Sequence, residues 1–369
     1  MRRLARTTAA LAALALLAAG GGSSSASTPH GRSSGTAAAA RFKACLVTDT
    51  GGIDDRSFNQ LSWQGMRGAA ATRPRKIKVT FLESTSTADY ARNIDAFIAQ
   101  KCGIIVTVGF LTASATEAAA KAHPKRKFAI VDCSYRSGCL FGTKVRNIDQ
   151  LVFSTVQDGF LGGYLAAGMS KTGVVATYGG ENFGTVTIYM DGFWDGVRYY
   201  NSRHHTHVRV LGWNEKTQKG VFLGSFTDIS AGRRIANTFI NEGADVIFPV
   251  AGGAGLGTAE AIKTANASGK SVSIEWADTD GCLTAAMYCK YFLTSVTKGI
   301  AEAVKTVVLA AARGSFRRAY IGTLANGGVA LAPYHDFAGK IPAVLKAEIT
   351  KVRSQIESGK IVPATKSPV

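Results

Sequence analysis

From residue 43 onward, short apolar runs alternate with amphipathic stretches, and the alternation runs through twice. Short apolar runs bounded by turn residues read as buried strands, and apolar residues recurring every three to four positions read as helices. The first series predicts strands at 43–48, 77–82, 104–108, 128–131 and 151–154, with helices at 58–72, 88–100, 113–122 and 156–169. In the second of these helices Tyr90, Ile94, Phe97 and Ile98 fall on one stripe. The second series predicts strands at 174–178, 208–211, 246–250 and 272–276, with helices at 187–201, 229–242 and 257–267. A strand at 292–296, a helix at 300–313 and helices over 341–356 follow. This is the pattern of a doubly wound α/β fold. Two series with a return at the end predict two lobes joined by several crossings around a cleft. The N-lobe is expected to be 41–153 plus 279–318, and the C-lobe 154–278 plus 319–363. A chain of 369 residues can bury both cores.

In a parallel sheet, ligands bind outside the carboxyl ends of the strands. At the first such end an apolar run rises to Asp49, breaks on Gly51-Gly52, and delivers Asp54, Asp55, Ser57, Phe58, Asn59 and Gln60 at a helix start. The other strand ends carry 107–110, Asp132, 179–183, 251–255, Asp278 and Asp280. Carboxylates accept from hydroxyls, amides pair with ring nitrogens and aromatic faces stack on flat rings, so the set suits a neutral polar ligand. The competing reading of any single Asp or Ser here is a helix N-cap.

At these residues the chain resembles the basic membrane protein family of bacterial ABC-transporter substrate-binding lipoproteins, the purine nucleoside receptors. The run from Thr48 to Gln60 is close to the family's opening motif. The likeness continues at Phe128-Ala129-Ile130-Val131-Asp132, Met190-Asp191-Gly192-Phe193 and Ser225-Phe226-Thr227-Asp228. It also covers 243–257, Asp278-Thr279-Asp280 and 293–298, within an overall span of about 43–315. The resemblance implies a type I periplasmic-binding fold, two Rossmann-like lobes with a hinge and an interlobe cleft. It implies a nucleoside ligand and ABC permease subunits as partners, with no cofactor and no metal. Carried over, Phe58 would stack on the base, with Asn59 and Asp132 near the base edge. Asp49 and Ser57 would face the ligand, Asp278 and Lys298 would hold the ribose hydroxyls, and Gly252 and Gly253 would let backbone approach it. A sugar receptor of the same fold is the nearest alternative.

Residues 1–27 read as an export signal, with basic Arg2, Arg3 and Arg6, an apolar stretch over 9–19 and small residues after it. Residues 28–40 read as a flexible tether. The expected location is the cell envelope, on the outer face of the plasma membrane. Leu17-Ala18-Ala19-Gly20 resembles a lipoprotein box with Gly20 where the acylated Cys belongs, so an unlipidated, secreted product is the other expectation. Cys282 and Cys289 flank a short loop, as do Cys133 and Cys139. Cys45 and Cys102 each begin an apolar run, and a bridge forms if those strands are neighbours. Buried free thiols are the alternative.

The formal net charge is +18, but the basic residues are scattered along the chain. They gather at Arg73, Arg75, Lys76 and Lys78, at Lys125, Arg126 and Lys127, and at Arg317 and Arg318. No basic helix or basic–aromatic alternation is present, which argues against nucleic acid. A nucleoside hydrolase is the enzyme alternative, since its calcium loop reads Asp-x-Asp-Pro-Gly-x-Asp-Asp. Here Thr48, Thr50 and Gly51 replace two of the acids and the proline, which leaves too few hard oxygen ligands.

Overall fold

A computed structural model describes residues 41–73, 75–134, 139, 145–316 and 319–367. The export signal and tether, 1–27 and 28–40, lie outside the described residues. The chain runs β1 (Phe42–Val47), α1 (Phe58–Thr72), β2 (Ile77–Leu82), α2 (Asp89–Ala99), β3 (Ile104–Val108), α3 (Ala113–Ala122), β4 (Phe128–Val131) and β5 (Ile148–Phe153). It continues with α4 (Thr155–Met169), β6 (Val174–Gly179), α5 (Gly184–His204), β7 (Arg209–Leu211), and the hairpin strands β8 (Trp213–Asn214) and β9 (Lys219–Gly220). Then come α6 (Ile229–Asn241), β10 (Val246–Val250), α7 (Leu256–Ala267), β11 (Ser273–Asp278), the one-turn α8 (Gly281–Thr284) and β12 (Phe292–Lys298). α9 (Ile300–Ala312), β13 (Ala319–Gly322), β14 (Val329–Leu331) and α10 (Ala343–Glu357) complete it.

The strands form two six-stranded sheets, ordered β13-β5-β4-β3-β1-β2 and β14-β12-β11-β10-β6-β7. Within these two sheets all pairings are parallel except β12 with β14, and the β8–β9 hairpin forms a separate antiparallel pair. Central strands β3, β4, β6, β10 and β11 are buried throughout. That is why β3, β4 and β10 read as nearly unbroken apolar runs rather than alternating ones: helices cover both faces of each sheet.

The lobe boundaries need a correction. The sequence reading placed 279–298 in the N-lobe, but β12 pairs with β11 in the second sheet, Trp276 opposite Ser295. The connection over 279–291 holds α8 and a further helical turn, enough for a crossover within one sheet. The chain changes lobe only after Lys298. β13 then joins the first sheet beside β5, Tyr320 opposite Leu151, although the reading had given 319–322 to the C-lobe. β14 returns to the second sheet. The three crossings are bonded together: Ser154 N–H donates to Gly322 O at 2.8 Å, and Gly299 N–H to Gly328 O at 2.8 Å. They form the hinge of a type I periplasmic-binding fold.

Helices α4 and α5 touch backbone to backbone. A Cβ at Gly163 would collide with the Phe193 carbonyl, and one at Gly196 with the Phe160 carbonyl. This contact sets the position of the first turns of α5, which face the cleft. Gly196→Ala improves intrinsic helix propensity, yet it is expected to destabilise the protein by about 2–3 kcal/mol because the helices must separate. Denaturant unfolding checks this; an unchanged midpoint would mean the helices can slide apart freely.

The six cysteines form three disulfides: Cys45–Cys102, Cys133–Cys139 and Cys282–Cys289. β1 and β3 are indeed neighbours, Ala44 opposite Ile104, so the first bridge ties the middle of β1 to the segment leading into β3.

Candidate functional site

β1 ends at the cleft, and the turn after it is organised by Asp55. Its Oδ1 accepts from the backbone N–H of Ser57 (2.9 Å) and Gln60 (3.1 Å), and its Oδ2 from that of Asn59 (2.7 Å). These are unpaired donors at the start of α1, so Asp55 caps the helix. The buried Asn59 amide donates to Asp49 Oδ1 (2.6 Å) and Asp55 Oδ2 (3.0 Å), and its Oδ1 accepts from Asp49 N–H (3.2 Å). Asn59 therefore fixes Asp49 in the cleft, with its own polar atoms already engaged. Asp49 Oδ2 lies beside Gly109, whose backbone φ of 90° and tight surroundings leave no place for a side chain.

Burial pushes the Asp49 carboxyl up, and it pushes Asp55 up to about 6. A carboxyl whose folded pKa exceeds its unfolded value binds more protons in the native state, so it favours the native state increasingly as pH falls toward the unfolded value. Between pH 7 and pH 5 the Asp55 contribution to stability is expected to rise by about 1 kcal/mol. Thermal melts across that range should show the slope, and Asp55→Asn should flatten it. A slope of the same size in the variant would assign it elsewhere.

Opposite this turn, Asp132 directly follows β4, Asp278 ends β11 and Lys298 ends β12. Lys298 Nζ donates to Asp132 Oδ2 at 2.6 Å and lies 3.2 Å from Asp278 Oδ1. The Tyr189 hydroxyl donates to Asp278 Oδ1 (3.0 Å) and the Ser57 hydroxyl to Asp278 Oδ2 (3.2 Å). The ammonium also sits 4.8 Å from the Tyr189 ring centre and 5.4 Å from that of Phe58. Asp132 belongs to the first sheet and Lys298 to the second, so this buried ion pair spans the cleft. Burial works against the Lys298 charge, but the two carboxylates outweigh it and hold its pKa above the ordinary value. Asp132 and Asp278 both adopt positive φ, 59° and 69°, an uncommon conformation that Asp tolerates better than most residues.

Between these polar ends the walls are aromatic. Phe58 and Phe110 come from the first lobe, Phe183 and Phe226 from the second. Phe110 and Phe183 stack across the cleft mouth with ring centres 4.4 Å apart and planes 18° from parallel. The cavity holds about 660 Å³ of space not filled by protein atoms, part of it open to solvent. Asp49, Phe58, Asn59, Asp132, Gly252, Gly253, Asp278 and Lys298 all line it. Ser57 does not; it reaches the site only through Asp278. Asp280 is an N-cap, its Oδ1 accepting from Cys282 N–H at 3.0 Å. The sequence reading noted Phe110 and Phe183 at strand ends, and Phe226 within a family motif, without giving them a role, and it missed Tyr189 in the wall. Tyr189 lies inside α5, a position no strand-end rule reaches.

The site can accept hydrogen bonds from hydroxyls at the Asp–Lys–Asp end and hold a flat ring between aromatic faces. Residues 42–368 match the family model described as ABC transporter substrate-binding protein PnrA-like. The chain belongs to this family. Among relatives of the PnrA-like chain is the ABC transporter nucleoside-binding protein BmpA of Lactococcus lactis, 28% identical over 90% of this chain and 93% of the relative. Basic membrane protein B of Borreliella burgdorferi is 28% identical over 73% of each chain. An ABC transporter solute-binding protein of Aeropyrum pernix has the same fold, with a TM-score of 0.74 at 23% identity over 88% of this chain and 94% of that one. PnrA-like proteins are extracytoplasmic substrate-binding proteins of ABC transporters, not enzymes. Among the described residues no helix is long and apolar enough to cross a membrane. The acids of the hydrolase alternative are also spoken for differently: Asp55 turns into α1 while Asp54 stays exposed, so the two do not form a cage.

Proposed function

We propose that the cleft binds a purine nucleoside, closes around it, and presents it to the permease subunits of an ABC transporter. The observation that carries this reading is an aromatic slot ending on a lysine held between two aspartates. The base lies between the phenyl faces with its edge toward Asp49. The ribose hydroxyls meet Asp278, Lys298 and Asp132. Asp132 goes with the ribose rather than the base edge because its carboxylate is already on Lys298. Asp49, Asp132 and Asp278 outnumber the single Lys298 ammonium in the cavity wall, so a 5′-phosphate is disfavoured by charge. The L. lactis relative's name points the same way.

The test is calorimetry with inosine, guanosine and adenosine against free base, ribose, glucose and a nucleoside monophosphate, after mass spectrometry of whatever co-purifies. Tightest binding by a nucleoside supports the reading, and tightest binding by glucose or ribose makes the protein a sugar receptor. Phe58→Ala is expected to weaken nucleoside binding by about 1–3 kcal/mol, the usual worth of base stacking. A lowered melting temperature with unchanged affinity would instead make Phe58 a packing residue.

A further inference from the structure

The basic clusters that look scattered along the sequence converge in space. The first sheet is parallel, so every helix-to-strand connection in it returns to one pole, at the amino ends of its strands. The connection from α1 to β2 carries exposed Arg73, Arg75 and Lys76. The next, into β3, carries exposed Lys101. The one from α3 to β4 carries Lys125, Arg126 and Lys127, and the approach to β5 carries exposed Arg146. Arg313 follows α9 and Arg41 precedes β1, both exposed. Among the described residues of these connections none is Asp or Glu. The segments are stitched side by side: Phe42 N–H donates to Lys76 O (2.7 Å), Gly103 N–H to Lys43 O (2.7 Å) and Phe128 N–H to Asn147 O (2.9 Å). Of the acids on the adjoining elements, Glu117 pairs with Lys121 and Asp149 is buried in β5, which leaves exposed Asp95, a turn back from the end of α2, against the cations of the pole.

The corresponding pole of the second sheet is mixed. Glu242 and Asp245 stand there beside Lys171, Lys270 and Lys290. The one-signed charge therefore belongs to the first lobe. It faces away from the cleft, a strand length or about 20 Å from the ligand. The chain enters the fold at Arg41, on this same pole.

We propose that this pole is a docking surface for an anionic phospholipid bilayer. A broad, convex set of cations that far outnumbers the exposed carboxylates beside it matches a plane of phosphate headgroups, each cation contributing through an attraction that ionic strength screens. The groove and base-stacking aromatics that a single nucleic-acid strand needs are not part of it. Docked this way, the protein lies on the membrane with its cleft turned outward to load.

Vesicle flotation at 0.1 M salt tests this on the full chain, with phosphatidylglycerol against phosphatidylcholine vesicles. Any contribution from residues 1–40 is the same in every variant compared. The pole variant carries Arg75→Glu, Lys76→Glu, Lys125→Glu and Arg146→Glu. A control with the same charge change carries Lys263→Glu, Lys270→Glu, Lys351→Glu and Lys360→Glu, all exposed on the second lobe. Melting temperatures confirm that both are folded. Binding to phosphatidylglycerol alone is expected, with the pole variant weakened about tenfold or more and the control within about twofold. Equal losses in pole and control variants would reduce the effect to net charge and overturn the proposal. So would equal binding to both lipids, or a short DNA duplex that strips the protein from the vesicles at the same salt.

Discussion

Lys298→Met is expected to abolish measurable nucleoside binding at neutral pH and to lower the unfolding free energy by about 3–5 kcal/mol, the usual consequence of removing one partner from a buried ion pair. The ammonium has 3% side-chain exposure and lies between Asp132 and Asp278. Without it two buried carboxylates face each other across the cleft with no counterion, and the lobes are pushed apart where they should close. The variant relieves this by taking up a proton, as paired carboxylates do, so its stability should recover as pH falls from 7 toward 4. The native protein should show a smaller recovery, because burial holds the Asp132 carboxyl above its ordinary value even with Lys298 beside it. Lys298 has a folded pKa above its unfolded one, so its stabilisation is complete below the unfolded value and is lost only as pH rises through the folded value. Calorimetry and denaturant unfolding at several pH values read both effects. Native affinity in Lys298→Met would remove the cluster from ligand binding.

The double variant Cys45→Ala/Cys102→Ala is expected to lose about 4 kcal/mol of stability with nucleoside affinity unchanged. The bridge closes a loop with a sequence separation of 57, and a loop of that length removes substantial entropy from the unfolded chain. Both residues are buried, so the vacated sulfur sites add a packing loss. The bridge ties the middle of β1 to the segment just before β3, whereas the cleft lies beyond the carboxyl ends of both strands, so stability and binding separate. A double variant that unfolds at the native denaturant midpoint would show that this bridge adds nothing to the pairing of the strands. Weakened nucleoside binding in a well-folded variant would instead show that strain at one end of the sheet reaches the other.

The element boundaries were largely legible because each depends on local chemistry. The helix expected at 58–72 is α1, and the strands expected at 77–82, 104–108 and 246–250 are β2, β3 and β10. Strands buried on both faces leave unbroken apolar runs, and the turns after them leave glycines and caps. The strand-end rule located most of the cavity wall for the same reason. β13 and β14 were missed because they are three or four residues long and stabilised by partners far along the chain.

By itself the sequence determined that the chain is a twice-repeated α/β series with polar and aromatic residues at the carboxyl ends of its strands, since periodicity and turn chemistry act over a few residues. Only the tertiary structure decided which sheet takes β12, and with it that Lys298 reaches across the cleft to Asp132, 166 positions away in the chain. Only the tertiary structure aimed Tyr189 at Asp278, because that depends on how closely α5 packs on α4. And only the parallel order of the first sheet turned basic segments far apart in sequence into one pole, because strand neighbours are chosen by long-range packing that no local pattern encodes.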